Sequence, residues 1–128
     1  MPINKLQLGQ FGENLAREYL VKKGYKIISR NVRQKWGELD IIAKAPDRTL
    51  VFVEVKTLRQ AQGKPAEEML QPEDELTQSK LEKLKRTASL YAGHYPEKID
   101  DSKGWRIDLL ALVVSGRDYN IKHYENIG

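Results

Sequence analysis

The sequence predicts an α/β domain in which helices pack on a mixed β-sheet. Two segments carry apolar residues at helical spacing, and several shorter segments are rich in β-branched and aromatic residues. Their order is helix, three strands, long loop, helix, strand and a short last strand. The chain has 128 residues, of which 40% are hydrophobic, and this suits one domain spanning 1–128 with one core.

The first helix is predicted over residues 9–23, where Leu8, Phe11, Leu15 and Tyr19 share one face. Gly24 follows two lysines and is a typical helix stop. Three strands are then predicted over 25–32, 37–43 and 49–56. The link over 44–48 contains Pro-Asp turn chemistry, so the second and third strands should form an antiparallel hairpin.

The second half begins with a polar loop predicted over 57–76, and a loop this long is expected to be mobile or functional. Thr77 is the expected N-cap of a helix that runs to about residue 93. Strands over 105–114 and 119–124 complete the predicted sheet.

Composition excludes several classes of protein. The chain has no cysteine, which excludes disulfides and thiolate metal ligands. It has no apolar run long enough to cross a bilayer and no apolar leader, so a cytoplasmic protein without a membrane partner is expected. Nor does it contain a P-loop, a dinucleotide-binding motif or a Ser-His-Asp set.

The net charge of +4 is unevenly distributed. Residues 59–76 hold two cations against five acidic residues, so the rest of the chain is strongly basic. A basic body suits a polyanionic partner such as nucleic acid, although on charge alone a solvated lysine-rich surface is the better explanation.

The predicted hairpin carries charges that do not belong in a core. Side chains alternate along a strand, so Glu54 and Lys56 should share a face of the third strand with Phe52. On the second strand, Asp40 should share a face with Glu38 and Ile42, and the opposite face should carry Leu39 and Ile41. A symmetric turn about Asp47 pairs position 40 with 54, with Cβ atoms about 5 Å apart. Two converging carboxylates need a proton or a cation, and Mg²⁺ prefers oxygen ligands.

Lys56 is expected on the same face as Glu54, where its ammonium group could orient a water nucleophile or neutralise charge on a phosphate. The alternative is an ion pair with Glu38, its predicted cross-strand partner. Glu13 lies at the edge of the apolar face of the first helix between small residues, and could join this site. Its alternative role is to complement the helix dipole.

Four motifs together resemble the YraN-like endonuclease family. They are Gly12-Glu13, Gly37-Glu38-Leu39-Asp40, Val51-Phe52-Val53-Glu54-Val55-Lys56 and Arg106-Ile107-Asp108. That family is similar to archaeal Holliday-junction resolvases and has the restriction-endonuclease-like fold, in which helices flank a mixed sheet in three layers. The resemblance covers nearly the whole chain.

The resemblance implies a metal-dependent nuclease that hydrolyses phosphodiester bonds in DNA, including branched DNA, with Mg²⁺ or Mn²⁺ as cofactor. Asp40, Glu54, the carbonyl of Val55 and Glu13 would hold the metal, and Lys56 would position the water. Lys80 matches a basic position of the family and would contact a phosphate. Junction resolvases act as symmetric pairs, so the resemblance leaves a homodimer open.

Other residues receive smaller predictions. Arg106 and Asp108 are expected to form an ion pair, and His94 and His123 to be structural or surface residues. Trp36 could stack on a base or simply pack. A basic set could follow a phosphate backbone: Arg17, Lys22, Lys23, Lys26, Arg30, Arg33, Lys35, Lys80, Lys83, Lys85 and Arg86.

Two rival functions remain open on the sequence alone. A non-catalytic nucleic-acid-binding module would keep the fold and the basic body without cutting. An interaction protein would use the acidic stretch 67–75 to recruit a partner or to cover the basic surface.

Overall fold

The computed structural model describes residues 4–61, 63–69 and 76–128. Its elements, in chain order, are α1 (Lys5–Lys22), β1 (Lys26–Gln34), β2 (Gly37–Lys44), β3 (Leu50–Arg59), the single-turn helix α2 (Ala66–Met69), α3 (Gln78–His94), a 3₁₀ turn (Pro96–Lys98), β4 (Trp105–Ser115) and β5 (Asp118–Tyr124).

The five strands form one mixed sheet in the order β1-β2-β3-β4-β5. All neighbours are antiparallel except β3 and β4, which are parallel and are connected through α3. The helices α1 and α3 cover opposite faces of the sheet, which gives three layers. The α/β class predicted from the sequence is therefore confirmed.

Each face of the sheet has its own apolar core. On the α1 side, Ala16 and Leu20 pack on Ile41 and Val53. On the α3 side, a second core includes Leu39, Ile42, Phe52, Leu84 and Tyr91. Because β3 contributes buried side chains to both cores, it is fixed from both sides, and this fixes the position of the charged residues that follow Val53.

Helix α1 begins four residues before the predicted start. Asn4 and Gln7 form a capping box, in which each side chain accepts a hydrogen bond from the other residue's backbone N–H. Thr77 caps α3 as predicted, with its hydroxyl group accepting a hydrogen bond from the backbone of Lys80 at 3.2 Å. Gly24 ends α1 with φ +91, the left-handed conformation that favours glycine.

The predicted loop over 57–76 is wrong at its start. Strand β3 continues to Arg59 because Thr57, Leu58 and Arg59 pair in register with Leu112, Val113 and Val114 of β4. A helical turn at Ala66–Met69 also interrupts the segment. The acidic residues Glu73, Asp74 and Glu75 of this stretch lie outside the described residues.

The predicted alternation of side chains along β2 is also wrong at one point. Leu39 packs in the α3-side core with Ile42, whereas Ile41 packs in the α1-side core. The change of phase falls at Asp40, which lies opposite Asn31 of β1, a residue with φ +52. A left-handed residue in a strand locally distorts the pleat, and strict two-residue periodicity fails there. Asp40 thus lies at an irregular point of β2, one residue beyond the last pair of the ladder with β3.

Within the described ranges, no helix is both long and apolar enough to span a bilayer.

Candidate nuclease site

The β2–β3 hairpin has the register that the symmetric turn predicts. Ile41 pairs with Val53, Ile42 with Phe52 and Ala43 with Val51, and the next step along the same register brings Asp40 opposite Glu54. In the turn, the carboxylate of Asp47 accepts a hydrogen bond from the backbone N–H of Thr49 at 3.0 Å. Local turn chemistry therefore determines which two carboxyl groups meet.

Asp40 and Glu54 are in direct contact. Oδ2 of Asp40 accepts a hydrogen bond from the backbone N–H of Val55 at 2.9 Å, and the Glu54 side chain hydrogen-bonds Asp40. Burial, together with this hydrogen bond and the negative charge of Asp40, raises the pKa of Glu54 to about 9. At neutral pH and without a cation, Glu54 therefore keeps its proton and donates it to Asp40.

Two lysines face the carboxyl pair. The positive charges of Lys56 on β3 and Lys80 on α3 both favour the ionised form of Glu54, although less strongly than burial and Asp40 oppose it. The alternative partner for Lys56 is engaged elsewhere, because Glu38 pairs with Arg33 of β1 at 3.7 Å.

Glu13 on α1 lies within electrostatic range of Asp40, although it does not line the cleft that holds the carboxyl pair. Burial and the charge of Asp40 raise its pKa, while Arg30 and Arg33 oppose the shift. Its Oε1 atom is buried and has no hydrogen-bond partner among the described residues. A buried carboxylate oxygen without a partner is costly unless a ligand or ion satisfies it.

Close packing brings α1 near enough for this. A Cβ atom at Gly12 would overlap the side chain of Thr57 on β3, so only glycine allows the helix to lie at this distance. The Gly12-Glu13 motif thus places the carboxylate of Glu13 beside the end of β3.

The carboxyl pair lies in a cleft of about 820 Å³ between the hairpin and α3. Glu38, Asp40 and Glu54 are the acidic residues of its lining, which also includes four lysines and several neutral residues. The lining cations are Lys35, Lys56, Lys80 and Lys83. Of the predicted nucleic-acid contacts, the structure therefore brings Lys35 and Lys80 to the cleft.

The two predicted arginines lie outside the lining of this cleft. Arg30 donates a hydrogen bond to Oδ1 of Asn14 at 2.7 Å, and Arg33 pairs with Glu38. Both arginines still influence Glu13 electrostatically, so they lie near the α1 side of the site.

A second polar cluster, which the sequence did not reveal, lies near the start of β4. The predicted pair of Arg106 and Asp108 is confirmed at 3.0 Å, and Asp108 is fully buried. Asp108 also accepts hydrogen bonds from His123 at 2.8 Å and from the backbone of Asn126 at 2.9 Å. Burial would raise its pKa, but these three donors outweigh burial and hold the pKa of Asp108 below its usual value.

The turn could have revealed this cluster. The loop between Ser115 and Asp118 has two residues, and the resulting register pairs Leu110 with His123, a diagonal neighbour of Asp108. Asp108, His123 and Glu125 have ligand atoms within 4.8 Å of one another and form a possible metal-binding group. However, Arg106 occupies both oxygens of Asp108, and this favours an ion-pair network without a metal.

The fold and the two-layer carboxylate site define a three-layer α/β protein with an acidic cleft flanked by lysines. A family model described as "Uncharacterised protein family UPF0102" matches residues 12–112. The chain belongs to this family, which confirms the resemblance to the YraN-like proteins.

Relatives match over nearly their whole length. A "UPF0102 protein" of Syntrophomonas wolfei is 37% identical over 120 residues, which cover 94% of this chain and 96% of that protein. A relative from Corynebacterium efficiens is 37% identical over 131 residues, covering 99% and 96%. One from Mycobacterium tuberculosis is 37% identical over 134 residues, covering 98% and 95%.

Among solved structures, Pyrococcus furiosus SfsA in complex with Ca²⁺ aligns with a TM-score of 0.40 and 17% identity. The alignment covers 96% of this chain and 64% of that chain.

Proposed function

We propose that the protein is a metal-dependent nuclease that hydrolyses phosphodiester bonds in DNA. The observation that carries this proposal is the contact between the carboxyl groups of Asp40 and Glu54, beside Lys56, in an open cleft lined by further lysines. Such a pair is costly without a cation, because one buried carboxyl group must hold a proton to be tolerated.

The residues present fit a hard divalent cation. Glu54 needs a proton or a cation to relieve its contact with Asp40, and Glu13 has a buried oxygen without a partner among the described residues. Asp40, Glu54, Glu13 and the carbonyl of Val55 would hold Mg²⁺, with Mn²⁺ as a substitute. When bound, the ion supplies Lewis-acid activation of the phosphate and lowers the pKa of water.

Lys56 supplies the charge that the carboxylates lack. Lys56 follows Glu54 by two residues on β3, and it lines the cleft. In this position it can orient a water molecule toward a phosphate and neutralise the negative charge that develops during hydrolysis. Lys80 faces the pair from α3 and can bind a neighbouring phosphate oxygen.

DNA cleavage by the purified protein tests the proposal. The substrates are single-stranded, duplex and four-way branched DNA, each with Mg²⁺, Mn²⁺ or a chelator. We expect metal-dependent cleavage that Asp40→Ala and Glu54→Gln abolish, and that Asp101→Asn, an exposed control, leaves unchanged. Cleavage by the Asp40→Ala protein at the wild-type rate would refute the assignment of this site.

A second candidate is a nucleic-acid-binding module that does not cut. The lysines that line the cleft favour it, since phosphate binding needs cations and not carboxylates. Salt-dependent DNA binding that ignores both chelators and Glu54→Gln, with no cleavage of any substrate, would favour this candidate.

Two finer expectations belong to the same proposal. A branched, two-fold symmetric DNA substrate would call for two active sites, so we propose a homodimer. Light scattering with and without a four-way junction tests this, and a monomer on the junction would contradict it. We also propose that the protein acts in the cytoplasm, where cell fractionation should find it.

A further inference from the structure

Trp36 lies in the turn between β1 and β2, at the edge of the cleft. It lines the same cleft as Asp40, Glu54 and Lys80, and it is partly exposed. The chain has two tryptophans, and the other, Trp105, packs edge-on against Phe52 at the start of β4. Trp36 is therefore the tryptophan at the proposed site.

One ring contact and two close approaches of the backbone position Trp36 against α3. The ring stacks on His94 of α3, with centroids 4.8 Å apart and planes 19° apart. The backbone carbonyl of Trp36 accepts a hydrogen bond from the hydroxyl group of Thr87 at 3.2 Å. A Cβ atom at the next residue, Gly37, would overlap Thr87, so the turn lies directly against α3. The ring is thus oriented before any ligand arrives.

Packing alone does not explain an indole at this position. Its Nε1 atom is buried and has no acceptor among the described residues. A buried N–H without an acceptor destabilises the folded state, a cost that a phenylalanine ring would avoid. What the position retains is a large, flat aromatic surface at the edge of a cationic cleft.

The surrounding charges fit a nucleic-acid strand. Lys35 precedes Trp36 in the turn, and Lys80 and Lys83 line the facing side of the cleft. Cationic grooves with an aromatic platform bind single strands by pairing phosphates with lysines while bases stack on the rings. In a duplex each base is already stacked and paired, so its face is not available to such a platform.

We propose that the Trp36–His94 stack is a platform for an unpaired base, so that the cleft selects DNA with a single-stranded or unstacked nucleotide beside the carboxyl pair. This inference rests on the proposed nuclease function, because it names the substrate feature that the same cleft recognises. It makes Trp36 a specificity-determining residue and His94 the residue that supports its ring.

Tryptophan fluorescence can test the contact directly. Trp105→Phe leaves Trp36 as the sole tryptophan, and all titrations use a chelator so that no strand is cut. The ligands are a single-stranded oligonucleotide, the same oligonucleotide with abasic sites, and the matching duplex. We expect strong quenching by the first and little by the others. Equal quenching by all three would overturn the proposal.

Affinity measurements with a labelled oligonucleotide provide the second readout. Trp36→Leu should weaken binding of the single strand by about 5- to 100-fold, the range for one base–aromatic stack, and leave the abasic strand unchanged. Trp36→Phe should retain most of the preference, and His94→Ala should reduce it. Equal weakening of both ligands by Trp36→Leu would reveal a merely structural role and refute the platform.

The outcomes separate this inference from the nuclease proposal. Base-dependent quenching without cleavage of any substrate would support the base platform and refute the nuclease proposal. Metal-dependent cleavage, together with quenching and affinity that do not depend on the base, would support the nuclease proposal and refute the base platform.

Discussion

Asp40 accepts a hydrogen bond from the backbone N–H of Val55 at 2.9 Å, across two neighbouring strands. This bond occurs just beyond Ile41 and Val53, the last pair of the described β2–β3 ladder. A carboxylate oxygen can accept several hydrogen bonds, so Asp40 can hold the end of β3 and still face Glu54. The Asp40 side chain thus has two roles: it binds the backbone of β3, and it forms the carboxyl pair with Glu54.

Replacing Asp40 by asparagine should separate these two roles. The amide oxygen of Asp40→Asn can still accept the Val55 N–H, whereas the negative charge is lost. We expect calorimetry to show that Mg²⁺ binding disappears and thermal unfolding to show a nearly unchanged Tm. Asp101→Asn serves as the charge-matched control. Unaltered Mg²⁺ affinity in Asp40→Asn would place the metal elsewhere.

The raised pKa of Glu54 predicts how stability depends on pH without metal. Between the usual pKa of a glutamate and about 9, the folded state holds a proton that the unfolded state has lost. Stability therefore falls as pH rises through this window, and Glu54→Gln should remove that loss. In EDTA, the variant should gain about 2–3 kcal/mol over wild type between pH 4.5 and pH 7.

Urea unfolding at several pH values measures this difference. Adding Mg²⁺ to the wild type should recover part of the lost stability at neutral pH, because a cation replaces the proton. A constant difference between Glu54→Gln and wild type from about pH 4.5 to pH 8 would contradict the assigned pKa shift.

Two glycines of α1 provide a matched pair of substitutions. Gly12→Ala should destabilise the protein by about 1–3 kcal/mol, because the new methyl group overlaps Thr57. Gly9→Ala meets no atom within 4 Å and should stabilise by up to about 1 kcal/mol through helix propensity. Thr57→Ala removes the Oγ1 and Cγ2 atoms that the new methyl group overlaps but leaves Cβ at 2.7 Å. Combining it with Gly12→Ala should therefore recover part of the lost stability, as chemical denaturation can show. Additive losses would mean that the overlap is relieved in another way.

Asp108 is expected to be a stability residue with no role in cleavage. Asp108→Asn removes the buried carboxylate that pairs with Arg106 and His123, and among the described residues it leaves Arg106 only the exposed Glu125 as a carboxylate partner, at 3.7 Å. Breaking a buried pair in this way typically costs about 3–5 kcal/mol. Asp118→Asn, on the exposed start of β5, should change stability by less than about 0.5 kcal/mol. The cleavage rate per folded molecule should not change. A selective loss of cleavage at full stability would instead tie this cluster to the reaction.

Lys80 is expected to contact a phosphate. Lys80→Ala should reduce the slope of log Kd against log salt concentration by about 0.7–0.9, the value for one phosphate contact. Lys103, in the turn before β4 and outside the cleft lining, serves as the control. Anisotropy of a labelled DNA at several salt concentrations measures both slopes. Identical slopes for Lys80→Ala and wild type would exclude the contact.

Local patterns in the sequence predict most of the helices and strands and the register of the hairpin. Apolar periodicity and local stop signals specify where helices and strands form, and the Pro-Asp turn specifies that position 40 meets position 54. These features depend on residues close together in the chain, so local rules capture them. The pairing of Arg106 with Asp108, two residues apart on one strand, followed for the same reason.

The way in which the layers complete the site depends on packing between distant segments of the chain. The effect of the Asp40 charge on the pKa of Glu13 depends on how closely α1 lies on β3. The stacking of Trp36 on His94 depends on the position of α3. The change of phase at Asp40 likewise follows from a left-handed Asn31 in the neighbouring strand. Packing between distant segments fixes these distances, and no local pattern in the chain encodes them.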